Sequence, residues 1–254
     1  MKSLQCDALK VFACPSRPTM GALAAERCVH FIKKCLEEKE QINMIFAAAP
    51  SQNEMLDALV ASDVDLSRIN AFHMDEYVGL EPGTPQTFGY YLTQHLFSRV
   101  NFRSVHLINT ANGAESACAE YAALLEKYPT DIVCMGIGEN GHIAFNDPPV
   151  ADFADPLPIK KVALDEICRQ QQVNDGCFPT LADVPTHAVT LTVPTLMRAA
   201  HIICTVPAPT KAAAVKATLE GAIGEHCPAT ALRRHACAEM FLDADSAALV
   251  EALQ

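Results

Sequence analysis

Short apolar runs alternate along this chain with longer stretches whose apolar residues fall at helical spacing, and that rhythm limits the fold more than any other feature. Residues 42–48, 69–74, 105–108, 132–135, 188–193, 202–206 and 239–242 read as strands. Residues 22–38, 53–61, 114–128 and 210–220 read as helices, with another helix face marked by Phe88, Tyr91, Leu92, His95 and Leu96. Pro129 stops the 114–128 helix, Gly221 reads as a C-cap after residue 220, and a last helix is expected from Ser246 to the end. Strands that are apolar throughout, separated by helices, predict an α/β fold with a mostly parallel sheet covered on both faces. With 254 residues, half of them hydrophobic, the chain can bury one sizeable core, and residues 1–254 read as a single domain. There is no internal repeat and no linker; the proline- and aspartate-rich stretch 148–158 reads as a loop or lid.

Charge excludes several partners. The chain carries 19 basic and 30 acidic residues, a net charge of −11, which repels nucleic acid at long range. No run of about 18 uncharged apolar residues is present, so no membrane span is expected. Asp7 and Lys10 interrupt any apolar stretch near the N-terminus, so no secretory signal is expected either. Eleven scattered cysteines, an odd number with no Cys-x-x-Cys pair, read as buried reduced thiols of a cytoplasmic protein.

In open parallel sheets, ligands bind beyond the carboxyl ends of the strands, so the residues after each strand are the candidates. Asp75 and Glu76 follow the strand that ends near Met74; such a pair can move protons if one carboxylate sits in a cleft, or can form an ordinary acidic turn. Gly136, Gly138 and Gly141 let backbone approach a ligand closely, and His142 and then Asp147 follow. A histidine moves protons near neutral pH, and a carboxylate on one ring nitrogen fixes its tautomer. The Gly-x-Gly-x-x-Gly spacing here lies too far along the chain for a dinucleotide loop. Ser51 and Asn53 sit between a strand and a helix, where they can cap the helix or offer contacts to an anion. Lys211 at a helix start opposes the helix dipole, which makes sense if it faces an anionic ligand; Arg169 is a second basic candidate.

The segments Phe72-His73-Met74-Asp75-Glu76-Tyr77-Val78-Gly79-Leu80 and Gly136 through Pro148 resemble the glucosamine-6-phosphate deaminase (isomerase) family, whose fold is shared with 6-phosphogluconolactonases. Residues 188–191 and 211–221 fit the same pattern. The resemblance implies a Rossmann-like three-layer α/β/α sandwich and a sugar-phosphate substrate, with no metal and no redox cofactor. By this resemblance Asp75 is the base that shuttles a proton between C2 and C1, and His142 assists opening of the pyranose ring. Asp147 then orients the histidine, Lys211 and Arg169 bind the phosphate, and the loop Ser51-Gln52-Asn53 receives it, with Gly138 close to the substrate. Asn140 stands where well-known deaminases carry aspartate, so it joins the catalytic candidates. Asp147 stands where glutamate is usual, and Ala48-Ala49-Pro50 replaces a loop with threonine and paired glycines. The expected reaction is conversion of glucosamine 6-phosphate to fructose 6-phosphate and ammonia. Galactosamine-6-phosphate isomerisation, lactonase chemistry and silent sugar-phosphate binding are the alternatives. Family members commonly self-associate, so a homo-oligomer is among the partners to expect.

Overall fold

The computed structural model describes residues 1–253. In chain order the elements are β1 (Lys2–Cys6), β2 (Leu9–Ala13), α1 (Arg17–Glu38), β3 (Ile42–Phe46), α2 (Asn53–Val60), β4 (Ile69–His73), β5 (Asp75–Tyr77) and α3 (Phe88–Leu92). They continue with β6 (Ser104–His106), α4 (Ala114–Lys127), β7 (Ile132–Met135), β8 (Ile159–Ala163), α5 (Glu166–Asn174), β9 (His187–Leu191) and α6 (Val193–Met197). β10 (His201–Val206), α7 (Ala212–Glu220) and β11 (Ala238–Leu242) complete the set.

Eight strands form the main sheet in the order β1-β2-β11-β10-β7-β3-β4-β6. Every pairing from β2 to β6 is parallel, and only β1 runs against its neighbour. The chain fills the sheet outward from β3 in one direction through β4 and β6, then returns to lay β7, β10 and β11 on the other side. The reversal between β3 and β7 is where a crevice opens in such sheets.

One face packs against α1 and α2. α1 is capped by Ser16, whose hydroxyl accepts from the Thr19 amide, and buries Met20, Ala24, Ala25, Cys28, Phe31 and Ile32 at helical spacing. These meet Met44, Phe46, Ile69 and Ala71 of the sheet. The other face packs against α4, α7 and a second, antiparallel sheet of order β5-β9-β8. The three layers expected from the sequence are therefore present, but the third is part helix and part sheet. Residues 188–193 were expected to join the parallel sheet; instead β9 ends at Leu191 and pairs antiparallel with β5 and β8.

The tail corrects another expectation. Beyond β11, residues 244–249 form turns and Glu251–Leu253 a single 3-10 turn, so there is no long helix from Ser246. Gly221 does cap α7, but with extended backbone; a side chain there would collide with the Ala217 carbonyl. All eleven cysteines are free; six are buried, whereas Cys237 is exposed. Among the described residues, no helix is long and apolar enough to cross a membrane.

Candidate active site

A cleft of about 470 Å³ lies beyond the carboxyl ends of β3, β4, β7 and β10. Ser51, Asp75, Gly138, His142 and Lys211, all singled out from the sequence, line it together.

Asp75 owes its place to a change of sheet. β4 ends at His73, where the Tyr121 hydroxyl of α4 accepts from the His73 amide at 3.0 Å and donates to its carbonyl at 2.9 Å. The Met74 carbonyl then accepts from the Leu191 amide, and the chain continues as β5 against β9. Successive strand residues point to opposite faces, which separates the two adjacent carboxylates. Asp75 faces the cleft. Glu76 turns to the start of α3 and accepts from the amides of Tyr77, Phe88 and Gly89 at 2.9, 3.1 and 2.9 Å. Burial pushes the Asp75 carboxyl well above its ordinary range, and the neighbouring charges of Glu76 and Asp147 push it further. Burial also raises Glu76, to about 7, against the downward pull of its three amide bonds. Asp75 is thus a nearly buried carboxyl of raised proton affinity at the wall of the cleft.

His142 sits on a tightly tied loop. Gly138 donates to the His142 carbonyl at 2.9 Å, and Gly141 adopts φ +82. A methyl group on Gly138 would overlap the imidazole itself, so glycine is required for the ring to lie where it does. Asn146, fully buried, donates to the carbonyls of Ile143 and Leu191 and ties this loop to β9. Replacing Gly138 by alanine is expected to displace the ring and lower kcat by about 10²-fold, since an ångström of misplacement costs that much. Circular dichroism should stay native, and an unchanged kcat would show that the ring tolerates the move.

Behind the ring lies a relay. His142 Nδ1 is 2.9 Å from Asp147 Oδ1 and 2.8 Å from Asn140 Oδ1, and Asn140 Nδ2 donates to Asp147 Oδ1 at 2.9 Å. Both oxygens are acceptors, so Nδ1 carries the hydrogen and Nε2 is left as the basic nitrogen. Burial alone would raise Asp147, but the bonds from His142 and Asn140 outweigh it and hold the carboxyl below its usual range. Asp147 does not line the cleft; it reaches the histidine directly, and the shorter side chain needs no bridging water. Asn140 likewise stands behind the ring, where its amide locks the carboxylate and imidazole together.

His142, Asp147 and Cys168 place donor atoms within 4.8 Å of one another, the one such buried trio among the described residues. Burial, with the adjacent Asp147 charge, raises the proton affinity of the Cys168 thiol, and the 2.9 Å contact between His142 and Asp147 already joins two of the three side chains.

One end of the cleft is built at two strand-to-helix turns. Ser51 stands in the 3-10 turn Pro50–Gln52 that leads into α2. Lys211 ends the 3-10 turn Pro209–Lys211 before α7. That second turn begins at Ala208, in a left-handed conformation of φ +86, with its amide held by the Asp243 carboxylate at 3.0 Å. Lys211 is 6% exposed, and none of the ion pairs among the described residues includes it. Burial lowers its proton affinity, while the nearby Asp175 and Glu139 oppose that shift. A buried cation without a close acidic partner, facing a cleft, is a natural anion anchor.

Three expected contacts do not reach the cleft. Arg169 is turned away, with Nη2 donating to the carbonyls of Leu181 and Val184 at 2.6 and 2.8 Å. The face of α5 that turns inward carries Cys168, Gln171 and Gln172 instead, because Arg169 lies about 100° around the helix from Cys168. Gln52 is fully buried and donates to Ser51 Oγ at 3.0 Å, so it supports the loop from behind. Asn53 accepts from the Tyr91 hydroxyl at 2.5 Å. Conversely, Arg17, Tyr91, Gln171, Gln172 and Asp175 line the cleft without having been expected there.

Residues 15–150, more than half of the chain, match the family described as glucosamine-6-phosphate isomerases/6-phosphogluconolactonase. The chain belongs to that family. A relative from Listeria monocytogenes, a glucosamine-6-phosphate deaminase, is 36% identical over 228 residues, covering 89% of this chain and 95% of its own. The protein of that name from Bacillus thuringiensis is 34% identical and covers 89% and 84%. Among solved structures, a monomeric glucosamine-6-phosphate deaminase superposes with a TM-score of 0.85 at 28% identity, over 94% of this chain and 99% of the other. The 6-phosphogluconolactonase of Thermotoga maritima gives 0.75 at 19% identity, over 92% and 98%, which shows a shared fold.

Proposed function

We propose that this protein converts glucosamine 6-phosphate and water to fructose 6-phosphate and ammonia. The observation that carries the reading is the pairing, in one cleft, of a buried Asp75 with a His142 whose Nδ1 is engaged from behind by Asp147 and Asn140. Relatives bearing the deaminase name, 34–36% identical over 89% of the chain, support the same choice.

His142 Nε2 accepts the proton of the sugar O1 hydroxyl and returns a proton to the ring oxygen, which opens the pyranose to the aldehyde. Asp147, held ionised, stabilises the imidazolium that forms between the two transfers. Asp75 then removes the C2 proton, acidified by the C1 carbonyl, whose oxygen takes a proton from the C2 ammonium as the enolamine forms, and Asp75 gives its proton to C1. The nitrogen at C2 is now an imine, water adds there, and ammonia leaves. Its raised proton affinity suits Asp75 to both taking and returning a proton near neutral pH. Lys211 and Ser51 hold the phosphate, and that remote binding energy positions the reacting carbons.

A coupled assay should show ammonia and fructose 6-phosphate in equal amounts from glucosamine 6-phosphate. Silence with both glucosamine and galactosamine 6-phosphates would remove the deaminase reading. Hydrolysis of 6-phosphogluconolactone in their place would assign the lactonase reaction.

A further inference from the structure

We propose that Arg17 is the second phosphate-binding cation of this cleft, working with Lys211 and Ser51 in the role that the sequence had suggested for Arg169. The proposal rests on the reading of the cleft as a sugar-phosphate site.

Three observations converge on it. The phosphate loop is poor in donors: residues 47–50 are Ala-Ala-Ala-Pro, the Ala47 amide is spent on the Cys134 carbonyl, and Pro50 has no amide hydrogen. Arg169 is committed to the Leu181 and Val184 carbonyls. Arg17 lines the cleft beside that same loop, with Nη2 donating to the Pro50 carbonyl and Nε donating to Glu54 Oε1 at 2.6 Å. These bonds fix the plane of the guanidinium. Of its five N–H donors, about three stay uncommitted. A fixed, planar, always-charged fork is what best matches two oxygens of a phosphate.

The position also has a cost that a ligand would offset. Arg17 is the first residue of α1, where a positive charge opposes the helix dipole. The same argument drew attention to Lys211. Glu54 answers part of that charge, and a phosphate dianion between Arg17 and Lys211 would answer the rest.

Inorganic phosphate is the probe, with binding followed by calorimetry on the intact protein. This reads the anion site whether or not any sugar is deaminated, so failure here and failure of the ammonia assay are separate results. Wild-type protein should bind phosphate, and Arg17→Ala should weaken that binding by about 10–100-fold, the value of charge-assisted hydrogen bonds. Arg17→Lys keeps the charge without the fork and should lose a smaller factor, about 3–10-fold. The kcat/KM for glucosamine 6-phosphate should fall by a similar factor. Inhibition by unphosphorylated glucosamine should not change, which a merely structural role for Arg17 would not spare. Equal phosphate affinity in wild type and both variants would overturn the proposal. So would an absence of phosphate binding by the wild type, or a loss that falls equally on phosphate and unphosphorylated glucosamine.

Discussion

Asp75→Asn is expected to abolish exchange of the C2 hydrogen with solvent and to cut kcat by about 10³–10⁴-fold, because a positioned base contributes on that scale. Substrate binding should survive, since the phosphate contacts lie elsewhere in the cleft. Exchange of label into C1 and C2, followed by NMR in deuterated water, checks this; undiminished exchange would mean that another group is the base. The same variant carries a second expectation with opposite sign. The Asp75 carboxyl has a folded-state pKa raised above its unfolded value, chiefly by burial. The folded protein therefore binds that proton more tightly, and stability falls as pH rises from the unfolded pKa through the folded one. Asparagine removes that cost, so the variant should melt higher than wild type above neutral pH, with the difference narrowing in acid. For the wild-type enzyme, kcat should drop as pH falls through the raised pKa of Asp75, because protonation removes the base. A melting temperature lower than wild type at pH 8 would show that the carboxylate is better satisfied in the fold than its burial implies.

His142→Ala should cost about 10²–10⁴-fold in kcat on the cyclic substrate. The loss should concentrate in ring opening. An open-chain analogue that cannot close to a pyranose should therefore be processed by the variant nearly as fast as by wild type. Single-turnover measurements on both substrates separate the two cases. If both slow equally, His142 acts in the C2–C1 transfer as well, and the division of labour between the two proton carriers would have to be redrawn.

The first half of the fold was open to reading because its strands are apolar on both faces and its helices are amphipathic. β3, β4 and β7 are almost wholly buried, and each sits within a residue or two of where the apolar run places it. The elements that escaped notice are those whose pattern is mixed. β1 has no fully buried residue. β8 carries two adjacent lysines, and α5 is mostly polar because much of it faces the cleft or solvent. Antiparallel pairing in the small sheet could not be told from parallel pairing, as β9 is as apolar as the strands of the large sheet.

In the cleft, the placement of Asp75 and His142 was legible because both lie in long, specific motifs. The supporting contacts were less so. Arg169 and Gln172 are three positions apart on one helix, and only the orientation of α5 decides which enters the cleft. Arg17 fell outside the helix as read from the sequence, which began at residue 22, whereas α1 starts at Arg17. Its charge at a helix start, the signal that served for Lys211, was therefore hidden.

β9 touches the supports of both Asp75 and His142. β5, which bears Asp75, pairs with it, and the Asn146 and Phe145 contacts of the histidine loop end on its Leu191 and Thr190. The base and the imidazole are thus surveyed from one common benchmark. Because that common support is the almost wholly buried strand β9, Asp75 and His142 hold their spacing as one unit, independent of which side chains line the entrance. Drift in sequence around the entrance can then change which sugar is admitted without detuning the proton transfer within.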